Sequence, residues 1–475
     1  MTTRVRFAPS PTGYLHIGGA RTALYSYLYA KATGGTFVLR VEDTDLERSK
    51  REYEEDQIND LKWLGMTYHE GPDQPGDFGP YRQSERTEIY KKYADEFVAK
   101  GMAYPCFLTD DELEALTEKA KSEEKPFHIY HDKYRDLDPA EAKKRIDAGE
   151  KYVIRFKNPR KKYTFHDLVR GDVTFPEDMV GDFVILRSNG MPVYNFCCVV
   201  DDHLMKMTHV LRADDHLNNT LRQLMIYEAL EAELPKFGHV SLLVGEDRQK
   251  LSKRHGATSV TQYREEGYLP EALTNYLCLL GWSHPEEKDI FDINELGELF
   301  TLDRFSKSPA LYDVQKLKHF NSEHIKKMDF EKFFELAKAE LQDDAKFQEM
   351  GADWQEKFCR FYQEKVTFVK DLKEGMDLIF STELSTNDEY KDVMNWETTA
   401  TLKQVLTDEI QKVDQLNEEV VGQWMDLLKK EHKIKGKNLF KGTRAVLTGS
   451  AEGPDLKTLL ALTPISIVKT RLGIN

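Results

Sequence analysis

Val5 to Ala8 is apolar except for Arg6 and stops at Pro9-Ser-Pro11-Thr-Gly13, a run that breaks regular structure, so a first strand is predicted to end there. Ile17, Ala20, Leu24, Tyr27 and Leu28 then recur at helical spacing up to Gly34-Gly35, a C-terminal stop signal. Thr36 to Val41 returns to β-branched and apolar residues. Strand, helix and strand in this order make a βαβ unit, and its right-handed crossover makes the strands parallel. From about Cys106 to Pro192 the pattern changes to a charged helical stretch, Thr109 to Lys125, followed by strand-like runs at Tyr152 to Phe156 and Phe183 to Leu186. An α+β insertion is predicted here. Apolar runs at Phe196 to Val200 and Val240 to Val244, with a helical Leu217 to Glu233 between them, predict that the parallel sheet then resumes. Beyond Phe330 apolar residues recur at helical spacing in charged segments, as in Phe333, Leu336, Ala337 and Leu341 or Val421, Trp424, Leu427 and Leu428. The C-terminal third is predicted to be helical.

At roughly 150 residues per domain, 475 residues predict about three domains. Hydrophobic residues make up 40% and aromatics 11%, which excludes a disordered chain, and the net charge of −15 disfavours a uniformly basic nucleic-acid binder. No run approaches the ~18 apolar residues of a spanning helix. The N-terminus has no apolar core of a signal peptide, so a cytoplasmic protein is expected. The five cysteines, Cys106, Cys197, Cys198, Cys278 and Cys359, are an odd number. All are read as reduced, with neighbours Cys197 and Cys198 expected on opposite faces of a strand.

Two motifs carry chemistry. Pro9-Ser-Pro-Thr-Gly-Tyr-Leu-His16-Ile-Gly18-Gly19 lies between a strand end and a helix start, where unpaired N–H groups and the helix dipole attract anions. Gly18 and Gly19 leave the backbone open to a purine or phosphate, and His16 can donate to a phosphate oxygen. A plain strand-to-helix turn with a surface histidine fits the same residues. Lys250-Leu-Ser252-Lys253-Arg254 follows the Val240 to Val244 run, with Gly245 before it and Gly256 after it. Two lysines three apart suit a polyphosphate on which charge develops, although a solvated basic turn has the same composition.

Together these residues resemble the His-Ile-Gly-His and Lys-Met-Ser-Lys-Ser signatures of the class I aminoacyl-tRNA synthetases. The stretch Ala8 to Ala23, with Arg40-Val-Glu-Asp-Thr-Asp45, Gly79-Pro-Tyr-Arg-Gln-Ser84, Val199-Val-Asp-Asp-His203 and Pro270-Glu-Ala-Leu-Thr-Asn-Tyr-Leu277, resembles the bacterial glutamyl-tRNA synthetases within that class. Gly19 and Arg254 depart from the general class signatures without removing a phosphate-binding cation. The resemblance implies an α/β, Rossmann-type parallel-sheet catalytic domain split by an α+β insertion, followed by an all-helical anticodon-binding region. It divides the chain into 1–105 and 193–255 (catalytic halves), 106–192 (acceptor-stem insertion), 256–330 (stem contact) and 331–475 (anticodon binding).

The resemblance also implies a glutamate–tRNA ligase that uses ATP with Mg²⁺, L-glutamate and tRNA(Glu), acts as a monomer, acylates the 2′-hydroxyl and activates glutamate only with tRNA present. It assigns His16, Lys250 and Lys253 to transition-state charge, with Gly18, Gly19, Ser252 and Lys253 on ATP. Arg6 and Arg212 are expected on the substrate's carboxylate, since arginine's planar fork makes two charge-assisted bonds. Glu42 is expected to face its ammonium, and Ser10, Tyr194 and Asn195 to line the pocket. Lys429 to Arg444 holds seven cations against Glu431, so Lys433, Lys435, Lys437 and Arg444 are candidates for a local tRNA footprint. Lys157, Arg160, Lys161 and Lys162 form a smaller patch. Some family members bind zinc through a Cys-x-Cys in the insertion, but here Cys106-Phe-Leu108 lacks the second cysteine and His128 and His131 offer only two nitrogens, so no metal site is expected.

Four alternatives are disfavoured. A glutaminyl enzyme of the class ends in β-barrels, a short tRNA-modifying relative has no anticodon domain, a small-acid ligase would not need the Lys429 to Arg444 cluster, and a silent tRNA-binding paralogue would have lost His16, Lys250 or Lys253.

Overall fold

The computed structural model describes residues 2–126, 133–177, 179–252, 258–385 and 387–474. Contacts divide the chain into two compact units, Met1–Val314 and Gln315–Asn475. In the first, strands Arg4–Phe7 and Thr36–Leu39 pair in parallel, Arg4 opposite Thr36 and Phe7 opposite Leu39, and helix Ile17–Ala32 joins them as the βαβ unit requires. The helix stops at Thr33, and Gly34 follows with φ +60°, a conformation a side chain would strain. Strands His209–Ala213 and Lys236–Val240 form a second parallel pair. Thr208 N–H donates to the Arg4 carbonyl at 2.9 Å, which brings this pair alongside the first.

Between these two parallel pairs in the sequence, strands Ala103–Cys106, Val153–Phe156 and Phe183–Leu186 form an antiparallel sheet. Strand Tyr163–Asp167 is antiparallel to Gly171–Phe175 and meets Lys236–Val240 through Asp167 and Phe237. One sequence reading is overturned: Phe196 to Val200 is not a strand but the middle of helix Tyr194–Leu204. Every residue from Asn195 to Asp202 is buried, so the run carries no polar face whose spacing would betray a helix. Cys197 and Cys198 consequently sit on successive positions of a helix, and all five cysteines are free and buried.

The second unit is helical among its described residues. Helix Glu418–Lys430 starts where the Asn417 side chain accepts from Val420 N–H at 2.9 Å, and it buries Val421, Trp424, Met425 and Leu428. These pack in one core with Leu402, Leu406 and Ile410 and with Leu439 and Val446 of helix Gly436–Thr448. Among the described residues no helix is long and apolar enough to cross a membrane.

His209 couples this fold to pH. Its ring is buried against the Tyr29 hydroxyl (3.2 Å) and the Thr208 hydroxyl (2.9 Å), and burial, aided by Lys236, pushes its pKa down to about 4. An unfolded imidazole titrates near 6.5. The unfolded chain therefore binds the proton first, and the stability this site confers is complete above the unfolded value and is lost as pH falls toward about 4. His209→Gln is expected to lose about 2 kcal/mol less stability than the parent between pH 7 and pH 5. Urea unfolding at both pH values measures this, and equal losses would contradict it.

Candidate active site

The parallel strands end at an open cleft of about 420 Å³. Arg6 and Phe7 enter it from the first strand and Ala8 from just beyond it, Leu211, Arg212 and Ala213 from strand His209–Ala213, and His16, Gly18, Gly19, Arg21 and Thr22 from the start of the helix. Glu42, Tyr194, Asp215, His216, Leu242, Leu243, Lys250 and Leu251 complete the wall. The two signatures, more than 230 residues apart in sequence, thus share one cavity. Backbone bonds explain how: after the Lys250 loop the chain returns to the helix start, where Ile17 N–H donates to the Thr258 carbonyl and Val260 N–H to the Leu15 carbonyl, both at 2.9 Å.

His16 caps the helix. Its Nδ1 accepts from Gly18 N–H at 3.1 Å, so in the neutral ring the proton sits on Nε2. Desolvation and the neighbouring Lys250 hold its pKa below the ordinary histidine value. The imidazole is therefore a neutral donor beside the positive end of a helix dipole. Opposite it, Lys250 Nζ lies 2.6 Å from an Asp215 carboxylate oxygen and remains largely exposed. A polyanion in the cleft would compete with Asp215 for this ammonium.

The other end of the cleft recognises a carboxylate. Arg6 is buried and fixed by Asp202 through Nε at 3.1 Å and Nη2 at 3.3 Å, while Arg40 donates to Asp202 at 2.6 Å and to Glu42 at 3.2 Å. Burial raises the Glu42 pKa against the pull of Arg40 and Arg6. Arg212 gives Nε to His239 Nε2 at 3.0 Å and Nη2 to Thr220 Oγ1 at 2.8 Å. Its Nη1 is buried without a hydrogen-bond partner among the described residues. An unmade guanidinium donor in a cleft is the complement of a ligand carboxylate. Tyr194 directs its hydroxyl to His216 Nδ1 at 3.1 Å.

Among the residues predicted for the site, Arg6, His16, Gly18, Gly19, Glu42, Tyr194, Arg212 and Lys250 line this cleft. Ser10, Asn195 and Ser252 do not. Ser10 is exposed, and Asn195 is buried with its carbonyl accepting from Gln223 at 3.2 Å. Lys253, Arg254 and Gly256 lie outside the described residues, as do His128 and His131. Among the described residues no group of three His, Cys, Asp or Glu side chains is placed to hold a metal. Sequence reasoning missed Asp215 and His216, although they lie only three and four residues after Arg212, and Arg21, whose buried guanidinium donates to the carbonyls of Leu280 (2.7 Å) and Ser241.

In the second unit Lys433, Lys435 and Lys437 are exposed, with the Lys437 ammonium 5.5 Å from the Trp396 ring centre. Phe440 is exposed in the same segment. Arg444 differs: it is half-buried, and desolvation lowers its pKa.

Residues 2–319 match the family model described as tRNA synthetases class I (E and Q), catalytic domain, and residues 329–473 match an anticodon binding domain. The chain is 46% identical over 471 residues to glutamate–tRNA ligase 1 of Caldicellulosiruptor saccharolyticus, covering 97% of this chain and 96% of that one. It is 43% identical over 468 residues to the glutamate–tRNA ligase of Bacillus subtilis, with the same coverage. A crystal structure of a glutamate tRNA ligase from Elizabethkingia meningosepticum in complex with its amino acid superposes with a TM-score of 0.90 at 33% identity, covering 100% of this chain and 99% of that chain. Both halves of the chain, and the cleft between its two signatures, place it in one lineage: the chain belongs to the glutamate–tRNA ligase family of class I aminoacyl-tRNA synthetases.

Proposed function

We propose that the protein attaches L-glutamate to tRNA(Glu) through a glutamyl-adenylate. An oxygen of glutamate's α-carboxylate attacks the α-phosphorus of ATP, the bond to the β-phosphate oxygen breaks, and pyrophosphate leaves with its electron pair. The terminal 2′-hydroxyl of tRNA then attacks the carbonyl of the mixed anhydride and AMP leaves. Neither step needs a covalent enzyme intermediate, so positioning and charge neutralisation carry the catalysis. His16 Nε2–H and the ammonium groups of Lys250 and Lys253 meet the triphosphate. Gly18 and Gly19 contact the nucleotide, and Mg²⁺ enters with ATP as part of the substrate.

The observation that carries this reading is Arg212, which lines the cleft that also holds His16 and Lys250 and whose buried Nη1 has no hydrogen-bond partner among the described residues. Arg212 and Arg6 receive the side-chain carboxylate, Glu42 faces the ammonium, and Ser10, Tyr194 and Asn195 shape the surroundings. An amide in place of the carboxylate would leave the guanidinium charge without its counter-charge, which disfavours glutamine. Residues 1–105 and 193–255 form the catalytic halves, 106–192 embrace the acceptor stem, 256–330 contact the stem, and 331–475 bind the anticodon. Because the net charge is −15, tRNA binds through local basic faces such as Lys433, Lys435 and Lys437. The protein acts as a monomer in the cytoplasm.

Aminoacylation of purified tRNA(Glu) and tRNA(Gln) with labelled glutamate, with glutamine as competitor, tests the assignment. Glutamate is expected on tRNA(Glu) with no added zinc. Charging with glutamine would contradict it, and charging that depends on added zinc would contradict the expected lack of a metal site.

A further inference from the structure

His239 and Asp167 are both completely buried, one and two strands away from the cleft-lining strand His209–Ala213, and neither lines the cleft. His239 stands opposite Arg212 in the register of neighbouring parallel strands, and Asp167 ends the strand on the other side, opposite Phe237. The Asp167 carboxylate is held by the backbone: one oxygen accepts from Val169 N–H at 2.9 Å and Arg170 N–H at 2.8 Å. Its other oxygen lies 2.6 Å from His239 Nδ1. At the far side of the ring Nε2 faces Arg212 Nε at 3.0 Å and the Thr220 hydroxyl at 3.1 Å.

Arginine has no acceptor, so the Arg212 contact requires a lone pair on Nε2 and places the ring proton on Nδ1, toward Asp167. Burial keeps the imidazole neutral despite Asp167 beside it. Thr220 takes Arg212 Nη2 at 2.8 Å, and the guanidinium carbon lies 5.1 Å from the Phe237 ring centre. Every nitrogen of Arg212 except Nη1 is therefore committed. The opposite tautomer, or a protonated ring, would set an N–H against the Nε–H of Arg212 and turn the guanidinium out of place.

We propose that Asp167 and His239 are positioning residues for substrate recognition: Asp167 selects the His239 tautomer, and that tautomer orients Arg212 so that Nη1 is presented to the substrate's carboxylate. This rests on the reading that Arg212 receives that carboxylate. The relay touches neither substrate, so its signature is selective: weakened glutamate binding with ATP binding kept.

Steady-state aminoacylation of tRNA(Glu) by the full-length enzyme tests it, with KM measured separately for glutamate and ATP. His239→Leu removes the acceptor and is expected to raise the glutamate KM about tenfold or more while the ATP KM stays within about twofold. His239→Gln, whose amide oxygen reaches the Nε2 position, is expected to recover most of that loss. Asp167→Asn keeps one oxygen for the backbone N–H groups and turns an N–H toward Nδ1, inverting the tautomer, and is expected to raise the glutamate KM at least about threefold. Should His239→Leu fail to fold, Asp167→Asn decides. Glutamate KM values within twofold of the parent, or glutamate and ATP KM values rising together, would overturn the relay. Arg212→Ala separates the two readings. If it leaves the glutamate KM unchanged, Arg212 is not the carboxylate's partner. If it raises that KM while the Asp167 and His239 variants do not, only the relay fails.

Discussion

Arg212→Ala is expected to lower kcat/KM for glutamate about a hundredfold, because charge-assisted hydrogen bonds contribute roughly 1.5–3 kcal/mol each and the substrate carboxylate would lose its fixed partner. The same change should narrow the preference for glutamate over glutamine, since the charge that distinguishes carboxylate from amide disappears with the guanidinium. Arg6 compensates only in part, because its Nε and Nη2 are already held by Asp202 at 3.1 and 3.3 Å. The readout is tRNA(Glu) aminoacylation with each amino acid in turn. An unchanged discrimination ratio would move the specificity determinant elsewhere in the cleft.

The second large effect belongs to the phosphate end. His16→Ala and Lys250→Ala should each slow glutamylation of tRNA under single-turnover conditions by about 10²–10³, the usual cost of removing a donor aimed at developing charge. The loss should fall on the chemical step, because the Nε2 proton of His16 and the Lys250 ammonium gain most when charge accumulates on the leaving pyrophosphate. Lys253→Ala should likewise depress activation far more than tRNA affinity, and equal losses in both would count against its role.

The sequence discloses the two ends of this site unequally. His16, Gly18, Gly19 and Lys250 are legible because phosphate binding needs a particular backbone turn and particular cations at fixed spacing. Arg6, Arg212, Glu42 and Tyr194 are isolated residues in apolar or charged surroundings, and only the resemblance to a family singled them out. Asp167 and His239 gave no signal, since a histidine in a buried strand looks the same whether it fills a core or orients an arginine. The βαβ unit and the helical second unit follow from hydrophobic spacing. Helix Tyr194–Leu204 does not, because burial on all sides erases the period. The basic segment after Lys429 is legible as charge, but the partial burial of Arg444 beside exposed Lys433, Lys435 and Lys437 depends on packing that composition does not encode.

Diffraction from the enzyme bound to a non-hydrolysable glutamyl-adenylate analogue tests most directly whether one cleft performs both recognitions. The side-chain carboxylate is expected within hydrogen-bond reach of Arg212 Nη1, the adenosine against Gly18 and Gly19, and the phosphate mimic beside His16. An analogue whose carboxylate lies away from Arg212, or whose nucleotide occupies a surface that His16 and Lys250 do not share, would contradict this expectation.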